Sequence, residues 1–97
     1  LVGSEMCIRD SSTWARSLAL AVGPEGKRVN VLAPGYVDTD ILAGDSDSKR
    51  AQRIEEVPLK RIGTGDDMAS IVSFLVGDDA AYITGAVLHA NGGLYLP

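Results

Sequence analysis

A short apolar segment that ends at Pro34-Gly35 constrains the fold more than any other feature of this chain. Within residues 29–33, Asn30 is the only polar residue. A short and mostly apolar strand that follows a helix is typical of a buried parallel sheet. Proline has no N–H to continue a strand ladder, so Pro34 marks the end of the strand. We therefore predict a buried strand over residues 28–33.

The segments around this strand predict an alternation of helices and strands. Apolar residues at helical spacing predict a helix over residues 12–22, capped by a serine at its start. Thr64 and Asp67 match a capping box at the start of a second helix. A second strand is predicted over residues 86–90. The order helix, strand, long loop, helix, strand predicts an α/β fold with parallel pairing.

Residues 40–57 interrupt this alternation with a long polar segment. Gly44-Asp45-Ser46-Asp47-Ser48 is followed by a polar helical stretch that ends at Val57. Long loops of this kind often form lids or binding segments. We interpret residues 40–57 as a mobile excursion outside the core.

Composition excludes several classes of protein. The chain has 97 residues, 9 basic and 13 acidic, with a net charge of -4. This balance argues against a nucleic-acid partner, which needs a basic surface. No apolar run approaches the roughly 18 residues of a membrane span, and the single cysteine cannot form an internal disulfide. We expect a cytoplasmic protein that binds neither nucleic acid nor a membrane.

Residues 1–11 fit neither helical nor strand periodicity well. Their wording resembles a translated sequencing adaptor, of the kind found at the broken ends of open reading frames. We interpret residues 1–11 as a non-native leader to be excluded from fold reasoning, the alternative being a divergent native segment.

Three segments, in this order and spacing, resemble the short-chain dehydrogenase/reductase family. They are Trp14-Ala15-Arg16-Ser17-Leu18-Ala19 leading to Pro34-Gly35 and Thr39, then Val57-Pro58-Leu59 with Arg61 and Gly63, and finally Ala81-Tyr82-Ile83-Thr84-Gly85 running to Asn91-Gly92-Gly93. The resemblance covers about residues 12–97. The last segment is most similar to the 3-oxoacyl-acyl-carrier-protein reductases of fatty acid biosynthesis.

The resemblance implies the C-terminal part of a Rossmann-type, doubly wound parallel sheet that is incomplete here. In the family, NADPH or NADH lies across the carboxyl ends of about seven strands, of which residues 12–97 would supply the last two. The implied activity is reduction of a 3-oxoacyl thioester on acyl carrier protein to the 3-hydroxyacyl thioester. The implied assembly of the complete protein is a homotetramer.

One departure from the family's pattern concerns catalysis. The family uses a Ser, a Tyr and a Lys, with the Tyr as the acid. In register with Trp14, the Tyr position falls at Ser4 and the Lys position at Ile8, and neither matches. We therefore name no catalytic residue in this chain, and we expect the chain to be inactive alone.

Four residues of the loop after the first strand are the candidate cofactor-binding residues. Pro34 and Gly35 would pass over the nicotinamide, where glycine lets the backbone come close. By resemblance, the Val37 backbone would pair with the carboxamide, and the Thr39 hydroxyl would bond the amide or the pyrophosphate. The alternatives are a plain strand terminator at Pro34-Gly35 and a helix cap at Thr39.

Other conspicuous residues have structural interpretations. A polar Asn30 in a strand needs a partner, which we expect to be neighbouring backbone. We assign Trp14 to the core or a subunit interface, and His89 to a structural, hydrogen-bonded position. The pair Asp38 and Asp40 resembles many loop sequences, so we predict no metal site.

Two alternatives to the reductase hypothesis stay open. The first is a short-chain dehydrogenase that acts on another alcohol or ketone, since the polar segment 40–57 says little about substrate. The second is a non-catalytic structural fragment, in which uncovered strand faces and helix stripes would leave the chain poorly folded or prone to associate.

Overall fold

The computed structural model of the chain describes residues 2–97, and it describes the side chains of residues 9–40 and 42–97. The chain divides into two compact units. The first comprises residues up to Ala33 together with Phe74–Leu88, and the second comprises Pro34–Ser73 together with His89–Pro97. The elements are α1 (Val2–Val22), a 3₁₀ helix (Gly23–Glu25), β1 (Val31–Pro34), α2 (Asp40–Ala43), α3 (Asp47–Glu56), α4 (Gly65–Val76), a second 3₁₀ helix (Asp78–Ala80) and β2 (Val87–Ala90).

The strands β1 and β2 pair in a two-stranded sheet. The Val31 N–H donates to the Ala86 carbonyl at 2.9 Å, and the Gly35 N–H donates to the Ala90 carbonyl at 3.2 Å. Both donors are offset from their acceptors by the same number of residues, which is the register of a parallel pair. The predicted α/β class with parallel pairing is confirmed. The strands begin later than predicted, at Val31 and Val87 rather than at residues 28 and 86.

Asn30 connects the two strands just before β1 begins. Its side-chain N–H donates to the Ile83 carbonyl at 3.0 Å, and its side-chain oxygen accepts from the Ala86 N–H at 3.0 Å. The amide thus pairs one donor and one acceptor that the ladder has not yet reached. The predicted structural role of Asn30 is confirmed.

Helix α1 begins earlier than the sequence predicts. It runs from Val2 through the serines at positions 11 and 12 without a break, so the predicted serine cap is wrong. Extending an existing helix adds one hydrogen bond per residue fixed, which favours continuation over a new start. Leu1 and the side chains of residues 2–8, including the family's Tyr and Lys positions, lie outside the described part of the chain.

The buried face of α1 consists of small residues. Ala15 and Ala19 are buried, as is Ser12, whereas Trp14 is 66% exposed. The assignment of Trp14 to the core is wrong, because small side chains allow the helix a closer approach. A Cβ on Gly85 would lie only 3.7 Å from the Ala19 Cβ. The alternative assignment of Trp14 to a subunit interface stays a prediction.

The second unit has its own small core, with Leu42, Val57 and Ile62 buried. The polar helical stretch predicted before Val57 is α3, which Ser46 caps by accepting from the Lys49 N–H at 3.2 Å. Because Leu42 and Val57 are buried, the interpretation of residues 40–57 as lying outside the core is wrong at both ends. The side chain of residue 41 is outside the described set.

Helix α4 begins with the capping box that the sequence predicts. The Asp67 N–H donates to the Thr64 hydroxyl at 3.1 Å, and the Thr64 N–H donates to the Asp67 carboxylate at 2.8 Å. These reciprocal bonds satisfy two of the N–H groups that a helix start leaves free. Over the described residues, none of the helices combines the length and apolar character needed to cross a membrane.

Candidate functional site

The loop that follows β1 carries the four predicted cofactor-binding residues. Pro34 is the last residue of β1, and Gly35 extends the ladder by its bond to Ala90. A Cβ on Gly35 would lie 2.7 Å from the Asn91 Cβ and 2.9 Å from the Asn91 Cα. Glycine is therefore required here by the neighbouring turn, whatever else approaches the loop.

Val37 is held on one side by a backbone bridge. It forms an isolated parallel bridge with Gly63, in which the Gly63 N–H donates to the Tyr36 carbonyl at 2.9 Å and the Asp38 N–H donates to the Gly63 carbonyl at 2.8 Å. In this geometry the bonds belong to the neighbours of Val37, so its own N–H and C=O point to the opposite edge. Neither group makes a hydrogen bond to another residue that the structure describes, and we call this side of Val37 its open edge. One donor and one acceptor side by side match a primary carboxamide.

Thr39 occupies the N-cap position of α2 with extended backbone, and it is exposed. Its side chain makes no capping hydrogen bond. The alternative of a helix cap at Thr39 is therefore confirmed for the position of the residue, whose carbonyl accepts from the Ala43 N–H at 2.9 Å, but the hydroxyl takes no part in capping.

Tyr36 connects the loop to α3. Its hydroxyl donates to the Glu56 carboxylate at 2.8 Å, and the Arg53 guanidinium lies over its ring, 4.9 Å from the centroid. The hydrogen bond to Glu56, then burial, raises the pKa of Tyr36 above its ordinary value, because both favour the neutral phenol. Arg53 in turn forms an ion pair with the partly buried Asp45.

Asp38 makes the second side-chain connection to α3. Its carboxylate receives the Arg50 guanidinium at 3.2 and 3.4 Å. This gives Asp38 a structural partner and separates its role from that of Asp40. The described residues contain no group of three or more metal-ligating side chains.

Asp67 has a second function besides capping α4. Arg61 donates to its carboxylate at 2.7 Å and 3.3 Å. The Arg61 hydrogen bond, followed by the bond from the Thr64 backbone, holds the pKa of the Asp67 carboxyl well below its usual range. The network fixes the segment that carries Gly63, the partner of Val37.

The second unit also contains a cavity of about 830 Å³. Apolar side chains such as Met68, Ile71 and Leu96 line it beside Tyr36 and His89, whereas the predicted cofactor-binding residues contribute nothing to its lining. The His89 Nδ1 is buried and has no hydrogen-bond partner among the described residues. The prediction of a hydrogen-bonded histidine is wrong at this atom. The ring instead meets Tyr95 edge-on, with centroids 5.8 Å apart.

Some residues around the loop were not singled out by the sequence. Arg50, Arg53 and Glu56 lie three residues apart on α3, and this spacing places them on one face of a helix. The spacing can be read from the sequence, but the sequence does not indicate that this face of α3 contacts the loop. Gly63 is part of the family resemblance, but its contact with the loop is made by its backbone and has no side-chain signal in the sequence.

Comparison with known proteins assigns the family. The profile of the family described as Enoyl-(Acyl carrier protein) reductase matches residues 11–95. The 3-oxoacyl-acyl-carrier-protein reductase FabG of Escherichia coli (strain K12) is 46% identical over 83 residues, covering 86% of this chain and 34% of that protein. The FabG protein of Haemophilus influenzae is 47% identical over 83 residues, with the same coverage. The chain thus spans about a third of the length of the curated relatives it matches.

Solved structures give the same result. The crystal structure of 3-oxoacyl-acyl-carrier-protein reductase from Brucella melitensis superposes with a TM-score of 0.87 at 28% identity, covering 92% of this chain and 33% of that one. A short-chain dehydrogenase/reductase from the same organism, described as glucose/ribitol dehydrogenase, gives a TM-score of 0.81 at 29% identity, covering 89% of this chain and 35% of that one. The chain belongs to the short-chain dehydrogenase/reductase family, a family of oxidoreductases.

Proposed function

We propose that residues 12–97 are the C-terminal part of an NADPH-dependent 3-oxoacyl-acyl-carrier-protein reductase. The observation that carries the proposal is the open edge of Val37. Its N–H and C=O face away from the bridge to Gly63 and offer the donor and acceptor that a nicotinamide carboxamide needs. The Thr39 hydroxyl, which makes no capping bond, lies two residues further along the same loop.

In this proposal the loop residues bind and orient the cofactor. Pro34 and Gly35 bring the backbone to the end of β1, Val37 pairs with the carboxamide, and Thr39 bonds the amide or pyrophosphate. When bound, NADPH supplies the hydride that adds to the ketone carbon of the 3-oxoacyl thioester. The proton on the ketone oxygen comes from the tyrosine that the family carries upstream of this segment.

The segment 40–57 is the proposed lid over the acyl chain. Because α3 contacts the cofactor loop directly, closing the lid and shaping the loop would be one process. The complete protein is proposed to be a cytoplasmic homotetramer that takes its substrate from acyl carrier protein. The 97-residue chain alone is proposed to be inactive, since neither Ser4 nor Ile8 can replace the family's Tyr and Lys.

A second candidate function is oxidoreduction of another alcohol or ketone by the same family machinery. The structural similarity to the Brucella protein described as glucose/ribitol dehydrogenase supports this second candidate. Substrate choice depends on the lid, whose polar sequence is compatible with either substrate class.

The test uses the complete protein, in which residues 12–97 are joined to the upstream sequence of their gene. NADPH oxidation is measured with a 3-oxoacyl thioester and with a panel of sugars and small ketones. Turnover of the thioester supports the reductase, and turnover of a sugar alone supports the second candidate. Failure to bind NADPH or NADH in a calorimetric titration would overturn both.

A further inference from the structure

One face of α3 contacts the loop that follows β1, which we call the cofactor loop (residues 35–39), on both sides of Val37. Arg50, Arg53 and Glu56 follow one another at intervals of three residues, which places them along a single face of the helix. Tyr36 and Asp38, the two neighbours of Val37, are their partners. Tyr36 and Asp38 are therefore held twice: α3 binds their side chains, and Gly63 binds their backbone groups.

The contact at Tyr36 has three components. Its hydroxyl is 2.8 Å from a Glu56 oxygen, and its ring lies under the Arg53 guanidinium. Arg53 is itself fixed by Asp45, in an ion pair whose side chains are 22% and 11% exposed. This shielding from water makes the Arg53 ion pair less subject to salt screening than an exposed one.

The contact at Asp38 is more exposed, but the guanidinium and the carboxylate are paired at two positions. Two Arg50 nitrogens reach the two carboxylate oxygens, at 3.4 Å and 3.2 Å. A planar guanidinium facing a carboxylate in this way constrains orientation as well as distance.

We propose that Tyr36, Asp38, Arg50, Arg53 and Glu56 form a clamp that fixes the peptide of Val37 in one orientation. With Gly63 holding one edge of the loop and α3 holding the side chains of Tyr36 and Asp38, the open edge of Val37 has little freedom to rotate. Arg50, Arg53 and Glu56 are thus positioning residues that act through the loop. That the Val37 peptide held in this way binds the nicotinamide carboxamide rests on the proposed function.

The first experiment measures the clamp without any ligand. In the complete protein, hydrogen exchange of the Asp38 N–H, which bonds the Gly63 carbonyl, is compared among variants. Glu56→Gln and Arg50→Met should each accelerate this exchange about two- to fivefold, the range of a partly exposed polar contact. The matched control is Glu55→Gln, the adjacent residue of α3, whose carboxylate bonds Lys60 instead of the loop.

A double-mutant comparison separates the clamp from general loosening. If Tyr36 and Glu56 act through their shared hydrogen bond, Tyr36→Phe combined with Glu56→Gln should exchange no faster than either single variant. Tyr36→Phe removes only the hydroxyl, so this variant still tests the clamp by hydrogen exchange if Arg50→Met disturbs folding. Acceleration by Glu55→Gln equal to that by Glu56→Gln, or no acceleration in any clamp variant, would overturn the clamp.

The second experiment tests what the clamp positions. Glu56→Gln should raise the KM for NADPH about two- to fivefold while kcat at saturating NADPH stays near that of the unsubstituted protein. Faster exchange at Asp38 with an unchanged KM would show that the clamp does not serve the cofactor. If the unsubstituted protein binds no dinucleotide, the proposed function fails, and the exchange comparison still decides whether the clamp exists.

Discussion

A Cβ placed on Gly35 would lie 2.7 Å from the Cβ of Asn91. The turn that ends β2 therefore presses against the loop that leaves β1. Asn91 is itself held in place, since its side chain donates to the Tyr95 carbonyl and accepts from the Gly93 N–H, at 2.8 and 2.9 Å. The glycine of the candidate cofactor loop is needed by the protein before any ligand arrives.

This contact predicts that Gly35→Ala destabilises the protein without cofactor. The new methyl group would collide with the Asn91 backbone, and overpacking of this kind costs about 1–3 kcal/mol. Urea denaturation of the complete protein measures the loss. Gly65→Ala is the control, because nothing lies within 4 Å of its new Cβ. An unfolding free energy for Gly35→Ala equal to that of the control would contradict the prediction.

The second prediction concerns Asn30. Asn30→Leu should lower the free energy of unfolding by about 1–3 kcal/mol, because the Ala86 N–H loses its partner. The Ile83 carbonyl loses its 3.0 Å bond and keeps the 3.3 Å bond from the Arg28 guanidinium. Asn30→Asp keeps an acceptor for Ala86 and loses only the donor to Ile83, so its effect should differ from that of leucine. Hydrogen exchange at Ala86 distinguishes the two variants. Unchanged protection of that amide in Asn30→Leu would argue against the bridge.

The third prediction separates the two roles considered for Thr39. Because its hydroxyl makes no capping bond, Thr39→Val should change the unfolding free energy by less than about 0.5 kcal/mol, as is usual for surface substitutions. A lost side-chain cap would cost about 1 kcal/mol. If the hydroxyl binds the cofactor, the same variant should weaken NADPH binding up to about tenfold. Thr39→Ser, which keeps the hydroxyl, should retain the affinity.

The fourth prediction follows from the lowered pKa of Asp67. A carboxyl whose pKa is lower in the folded than in the unfolded state contributes stability in full above its unfolded value of about 4. That contribution is lost as pH falls below this value toward the folded pKa. The stability advantage of the unsubstituted protein over Asp67→Asn should therefore be constant near neutral pH and shrink in acid. Urea denaturation between neutral pH and the acid limit measures the difference, and an advantage that persists unchanged in acid would contradict the assignment.

Local signals were the most reliable part of the sequence. The capping box of Thr64 and Asp67 needs only four consecutive residues, and it forms as predicted. The predicted strand end was less exact, because Pro34 is itself the last residue of β1 and the ladder continues through the Gly35 N–H to Ala90. Asn30 shows the limit of such reasoning. A polar residue in an apolar run can be expected to need a hydrogen-bond partner, but the sequence does not indicate that the partners are Ile83 and Ala86.

The errors arose where distant packing decides. The helical pattern drew attention to the large residue Trp14, yet the small residues Ala15 and Ala19 are the ones buried. That the buried His89 Nδ1 has no hydrogen-bond partner among the described residues could not be predicted from its position in a strand. The face of α3 that meets the loop was visible as a spacing of charged residues, but nothing local indicates that its partners are Tyr36 and Asp38.

The sheet and its flanking bonds also constrain how this segment can fold. The bond from Val29 to Thr84 joins residues 55 apart, and that from Ala86 to Asn30 joins residues 56 apart. Neither strand gains its partner until a loop of that length has closed, and closure costs entropy before any ladder bond repays it. The hydrogen bonds of helices α3 and α4 are local in sequence, so these helices do not depend on that closure as the pairing of β1 with β2 does. Whenever that closure is lost, the edges of both strands are left unpaired, and an unpaired strand edge is a template for pairing with another chain.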